Sequence, residues 1–160
     1  MNNEVHPMSP RFVEKPAFTV AGVTATGHPA QLDHTKIWDM AYMPLDSVLH
    51  PLSLDGGYYG VTTCENETYR YLAGMAIREG AVLPPGAESR TIPAARYAVM
   101  DCDMNTIGAT WREAYESWLP ASSFALDTNG FDFEFYPPVE ADGVQKVEIY
   151  IPVKERVRAA

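Results

Sequence analysis

The chain has 160 residues, the size of one domain, and its 12 Lys and Arg against 21 Asp and Glu leave a net charge of −9. That balance argues against a nucleic-acid-binding face, which needs a positive field to release counterions, and no apolar run approaches the roughly 20 residues of a membrane span. A hydrophobic content of 46% with 21% charged residues belongs to a folding chain and not to a disordered one. Cys64 and Cys102 are too few for a disulfide framework. The polar opening is expected to be a loose tail over residues 1–9 and not a signal peptide, and the protein is expected to be cytoplasmic. Thirteen prolines, about 8% against an ordinary ~5%, favour short strands and turns over long helices.

In chain order, Arg11 to Pro16 and Phe18 to Thr26 read as two strands joined tightly across Pro16-Ala17. Trp38, Ala41, Tyr42 and Leu45 are spaced i, i+3, i+4, i+7, which predicts a helix capped by Asp33 or Thr35 and interrupted at Pro44. Tyr58 to Cys64 and Thr68 to Ile77 form an expected hairpin turning at Glu65-Asn66-Glu67. Residues 79–88, with Pro84-Pro85-Gly86 at their centre, read as a linker between halves 10–78 and 89–154 of one domain, 10–154. The order then repeats. Arg90 to Pro93 and Arg96 to Asp101 are strands, and Trp111, Ala114, Tyr115 and Trp118 lie on a helix capped at Asn105 or Thr106 and stopped at Leu119-Pro120. Phe131 to Pro137 and Val147 to Val153 are strands again.

Both halves therefore run strand, strand, helix, strand, strand. Pro16-Ala17 aligns with Pro93-Ala94 at an offset of 77 residues (93 − 16), and Trp38 with Trp111 at 73 (111 − 38). Such matched order is what an internal duplication leaves. It predicts an α+β fold of duplicated units related by a pseudo-twofold, with antiparallel sheets, helices on one side and a groove where the halves meet.

Neither a Gly-x-Ser-x-Gly elbow nor a phosphate-binding glycine loop occurs. His6, His28, His34 and His50 lack partners at a familiar metal-ligand spacing, so no metal and no cofactor is expected. The informative segment is Phe131-Asp132-Phe133-Glu134-Phe135-Tyr136. Alternation puts the phenylalanines on one face and Asp132, Glu134 and Tyr136 on the other. In a sheet buried on one face only, the acids simply meet water. If the second face is also aromatic, as Tyr58, Tyr59, Tyr69, Tyr71 and Tyr97 suggest, it lines a cavity where a carboxylate and ring faces attract a lipophilic cation.

The chain resembles the GyrI-like effector-binding domains of bacterial transcription activators. The resemblance is carried by residues 13–22 (VEKPAFTVAG), 69–74 (YRYLAG), 110–120 (TWREAYESWLP), 133–136 (FEFY) and 147–153 (VEIYIPV). It implies a duplicated fold with a hydrophobic groove between halves, in a family whose members bind bulky cationic compounds. It further implies Glu134 as the pocket glutamate, with Tyr71, Trp111, Trp38, Tyr136 and Tyr42 as ligand-binding aromatics. Stand-alone members are found in mobile gene cassettes. The sequence shows no helix-turn-helix, which separates it from the complete regulators. Three functions follow as expectations: a module that binds hydrophobic cationic small molecules, a hydrolase of reactive compounds using Glu134 and Tyr71 in the same groove, or a gyrase-inhibitor-like module that takes a protein partner.

Overall fold

A computed structural model describes residues 9–157, so the tail expected over 1–9 lies almost wholly outside the described residues. Among the described residues there are nine strands: β1 (Arg11–Lys15), β2 (Phe18–Thr26), β3 (Tyr58–Glu65), β4 (Thr68–Ile77), β5 (Glu88–Ile92), β6 (Ala95–Asp103), β7 (Phe124–Leu126), β8 (Asp132–Tyr136) and β9 (Lys146–Glu155). One helical segment covers residues 34–52 and a second covers 107–121.

All pairings are antiparallel, and eight strands run in the order β1-β6-β9-β8-β3-β4-β2-β5, with β7 paired to β9. The order reads the same from either end once each strand is replaced by its counterpart in the other half, which is the expected pseudo-twofold. Two sequence expectations are corrected. The halves share one continuous sheet, because β3 and β8 pair directly. The strands flanking Pro16-Ala17 do not pair with each other either: β1 joins β6 of the second half, and β5 joins β2 of the first. A two-residue hairpin needs positive φ at its turn, and neither Pro16-Ala17 nor Pro93-Ala94 provides it. By contrast Asn66 and Glu67 adopt φ of 51° and 64°, and the hairpin from β3 to β4 forms as expected.

Both helices survive their prolines. In each, a wider π turn (Ile37–Tyr42 and Ala114–Trp118) ends in an i+5 hydrogen bond, Met43 N–H to Trp38 O and Leu119 N–H to Ala114 O. The proline follows immediately, so the helix continues through Pro44 to Leu52 and through Pro120 to Ala121. Asp33 caps the first helix by accepting from Lys36 N–H at 3.0 Å. Asp103 organises the start of the second by accepting from the N–H groups of Asn105 and Thr106. The three-residue β7 has too little pattern to be visible in sequence.

The helices cover one face of the sheet, over separate cores. Tyr42 and Leu49 of the first pack on Ala21, Ala73, Met75 and Ile77 of the sheet; Ala114 of the second packs on Ala98, Met100, Ile149, Ile151 and Val153. The opposite face carries a third core that includes Val20, Tyr59, Tyr97, Phe133 and Tyr150. Phe18 of β2 and Phe133 of β8 are separated by two intervening strands, roughly 14 Å in a flat sheet, yet their ring centroids lie 5.6 Å apart. The sheet therefore curls around this aromatic core, and no second layer is needed on that side. Phe133 is 1% exposed and contacts the rings of Phe18, Tyr59, Tyr97 and Tyr150. Replacing it with alanine is expected to cost about 3–5 kcal/mol in urea unfolding; a loss under about 1 kcal/mol would mean that the curl does not depend on this ring.

Candidate functional site

Between the two helices, over β3 and β8, lies a cavity of about 1010 Å³. Pro29, the start of the first helix and Trp38 form one wall, and Met104 with the start of the second helix forms the other. The floor follows from strand alternation: Tyr58, Gly60 and Thr62 of β3 sit beside Asp132, Glu134 and Tyr136 of β8, with Tyr71 arriving from β4. The acidic face of β8 thus lines a cavity and does not stand in open solvent.

Glu134 is half-buried and doubly held. Tyr71 O–H donates to its Oε1 at 2.7 Å, and Trp111 Nε1–H points to its Oε2 at 3.4 Å. Tyr71 in turn accepts from Trp38 Nε1–H at 3.1 Å, so one chain of hydrogen bonds joins the two helices through the floor. Gly60 stands directly opposite Glu134 in the sheet. A side chain there would run into both Tyr71 Oη and Glu134 Oε1, so the glycine is what lets these groups meet.

A second carboxylate lies two residues away. Asp132 accepts from Tyr115 O–H at 2.6 Å. Burial pushes its carboxyl up to about 6; the Tyr115 hydrogen bond opposes this and the Glu134 charge reinforces it. Burial and the neighbouring carboxylates also raise the Tyr71, Tyr115 and Tyr136 phenols, which therefore remain protonated donors at neutral pH. Among the described residues no Lys or Arg lines the cavity. Among the described residues, no three His, Cys, Asp or Glu side chains converge to hold a metal ion.

Of the residues singled out in the sequence, Glu134, Tyr71, Trp111, Trp38 and Tyr136 all line this cavity. Tyr42 does not. Lying one turn beyond Trp38, it is fully buried in the core behind that ring, 5.3 Å from it, and donates to Asp46 Oδ1 at 2.9 Å. Glu134 is partly and not wholly buried, as a residue reachable from the cavity must be. Asp132, Tyr115, Tyr58 and Gly60 were not among the expected site residues. The alternation that selects Glu134 selects Asp132 equally, whereas Gly60 is legible only from strand register.

Over residues 11–153 the chain matches the family described as Cass2, integron-associated effector binding protein. It belongs to that family. Its sequence is similar to the transcriptional regulator BrlR of Pseudomonas aeruginosa, at 27% identity over 91% of this chain and 56% of that protein, so it spans about half the length of this relative. The fold is shared with SAV2435, solved bound to tetraphenylphosphonium (TM-score 0.77, 17% identity, 92% of this chain and 94% of that one). It is shared also with an integron cassette protein from the mobile metagenome of Vibrio cholerae (TM-score 0.59, 17% identity, 92% and 98%). The resemblance to GyrI-like effector-binding domains is therefore one of family and fold. Among the described residues no helix is long and apolar enough to cross a membrane.

The folded protein holds the Asp132 proton more tightly than the unfolded chain does. Ionising Asp132 accordingly removes stability as pH rises from the ordinary carboxyl range through about 6. Asp132→Asn keeps an acceptor for Tyr115 and removes the charge. It is expected to raise the melting temperature at pH 8 and to leave it nearly unchanged at pH 4; an equal effect at both pH values would contradict the burial of this charge.

Proposed function

We propose that this protein binds hydrophobic cationic small molecules in the cavity between its helices, with Glu134 as the principal anion and Trp38, Tyr71, Trp111 and Tyr136 as the surrounding rings. One observation carries the reading: among the described residues the aromatic cavity has two carboxylates on its floor, Asp132 and Glu134, a third, Asp39, on its helix wall, and no Lys or Arg to balance them. Desolvated negative charge of this kind attracts a cation more strongly than a surface carboxylate does, because the local dielectric is low and no counter-charge competes. Ring faces add quadrupole attraction to the same ligand. Small polar or anionic molecules gain nothing from such walls.

The preorganisation fits binding. Tyr71 and Trp111 fix Glu134 before a ligand arrives, so little side-chain entropy is lost on association. The affinity of SAV2435 for tetraphenylphosphonium, implied by their complex, supports the same ligand class for this fold-mate. Glu134→Gln retains an acceptor for Tyr71 and removes the charge. Calorimetric titration is expected to show tetraphenylphosphonium bound more weakly by roughly 1–3 kcal/mol, with a neutral ligand of similar bulk little affected. Equal affinity of wild type and variant for the cation would overturn the assignment of Glu134.

A further inference from the structure

The function proposed above uses one carboxylate, and the cavity floor has two, with a third, Asp39, exposed on the helix wall. Asp132 and Glu134 project from the same face of β8, about 7 Å apart along the strand. The second helix matches them. Trp111 and Tyr115, four residues apart, stack with centroids 6.1 Å apart and planes within 18°. Each reaches a different acid, Trp111 Nε1–H towards Glu134 and Tyr115 O–H to Asp132. Two carboxylates thus lie beside two stacked rings at a similar spacing.

A ligand with one positive charge balances only one of these acids. The other titratable groups around the cavity are His34, Asp39, Tyr58, Tyr69, Tyr71 and Tyr136, none of them Lys or Arg. The second carboxylate therefore remains an uncompensated charge in a partly desolvated wall, and the rise of the Asp132 carboxyl to about 6 reflects that situation. A flat ligand carrying two charges relieves both acids at once and offers its ring system to the two walls.

We propose that Asp132 forms a second anion subsite beside Glu134, so that the groove selects flat aromatic dications over monocations of the same shape. The proposal rests on the reading of the groove as a cation site, and the test separates the two. The probes are methyl viologen, a bipyridine with a positive charge at each end, and N-methyl-4-phenylpyridinium, almost the same shape with one charge. By calorimetry the wild type is expected to bind the dication about tenfold or more tightly than the monocation, the scale of one added charge pair at this distance. Asp132→Asn is expected to bring the two affinities within about threefold of each other, and Glu134→Gln to weaken both ligands. Asp132→Ser carries the same expectation should the asparagine variant fail to fold.

Equal binding of the two cations by the wild type, or an undiminished dication preference in the Asp132 variants, overturns the second subsite; the cation site itself stands if Glu134→Gln still weakens both. Failure of the wild type to bind either cation overturns the cation reading and this proposal with it.

Discussion

A single hydrogen bond at the middle of the sheet, from Tyr71 O–H to Glu134 Oε1, organises the groove. Carrying the 77-residue offset of Pro16 and Pro93 through the strand registers places Gly60 and Glu134 opposite each other, on the pseudo-twofold itself. Perfect symmetry would put the same residue on both sides of that axis, and two facing glutamates would repel at close range. Here one side carries a carboxylate and the other no side chain. The vacated space admits the Tyr71 hydroxyl, which satisfies the acid, and Trp38 holds that hydroxyl from the other side. The groove is therefore polarised: both floor carboxylates come from the second half, and the hydroxyl chain that orients Glu134 comes from the first.

The rest of the architecture keeps this centre accessible. Because the sheet curls around its aromatic core on one face, stability on that side needs no covering helices. The helices pack over the two ends of the other face, on separate cores, and leave β3 and β8 uncovered between them. Exchange of β1 and β5 between the halves ties the two ends together, so the groove sits within one sheet and not at a loose joint between domains. The π turns let each helix pass its proline and keep Trp38 and Trp111 directed at the floor.

Much of this was legible in the residues because it depends on short-range rules. The Asn66-Glu67 hairpin, the Asp33 cap, the repeated element order and the alternation of Phe133 with Glu134 all follow from local backbone chemistry and period. What escaped depends on partners distant in sequence. Nothing in Arg11–Lys15 says that its neighbour is β6 and not β2, since strand pairing beyond hairpins is decided by the curl of the whole sheet. Tyr42 shares the face pattern of Trp38, yet lies one turn behind it over the core. Pro44 was expected to interrupt a helix that a π turn carries past it. Asp132 and Tyr115 were each visible singly, and their meeting at 2.6 Å requires the packing of the second helix on β8.

The empty position at Gly60 is the condition for the Tyr71–Glu134 link, and the most direct measurement is calorimetric titration of Gly60→Ala with tetraphenylphosphonium. Displacing the Tyr71 hydroxyl from the glutamate is predicted to reduce affinity about tenfold or more while the variant keeps its native circular dichroism, since the link is made through a charge-assisted hydrogen bond. A folded Gly60→Ala protein that binds the cation as tightly as wild type would contradict the claim that this bond organises the site.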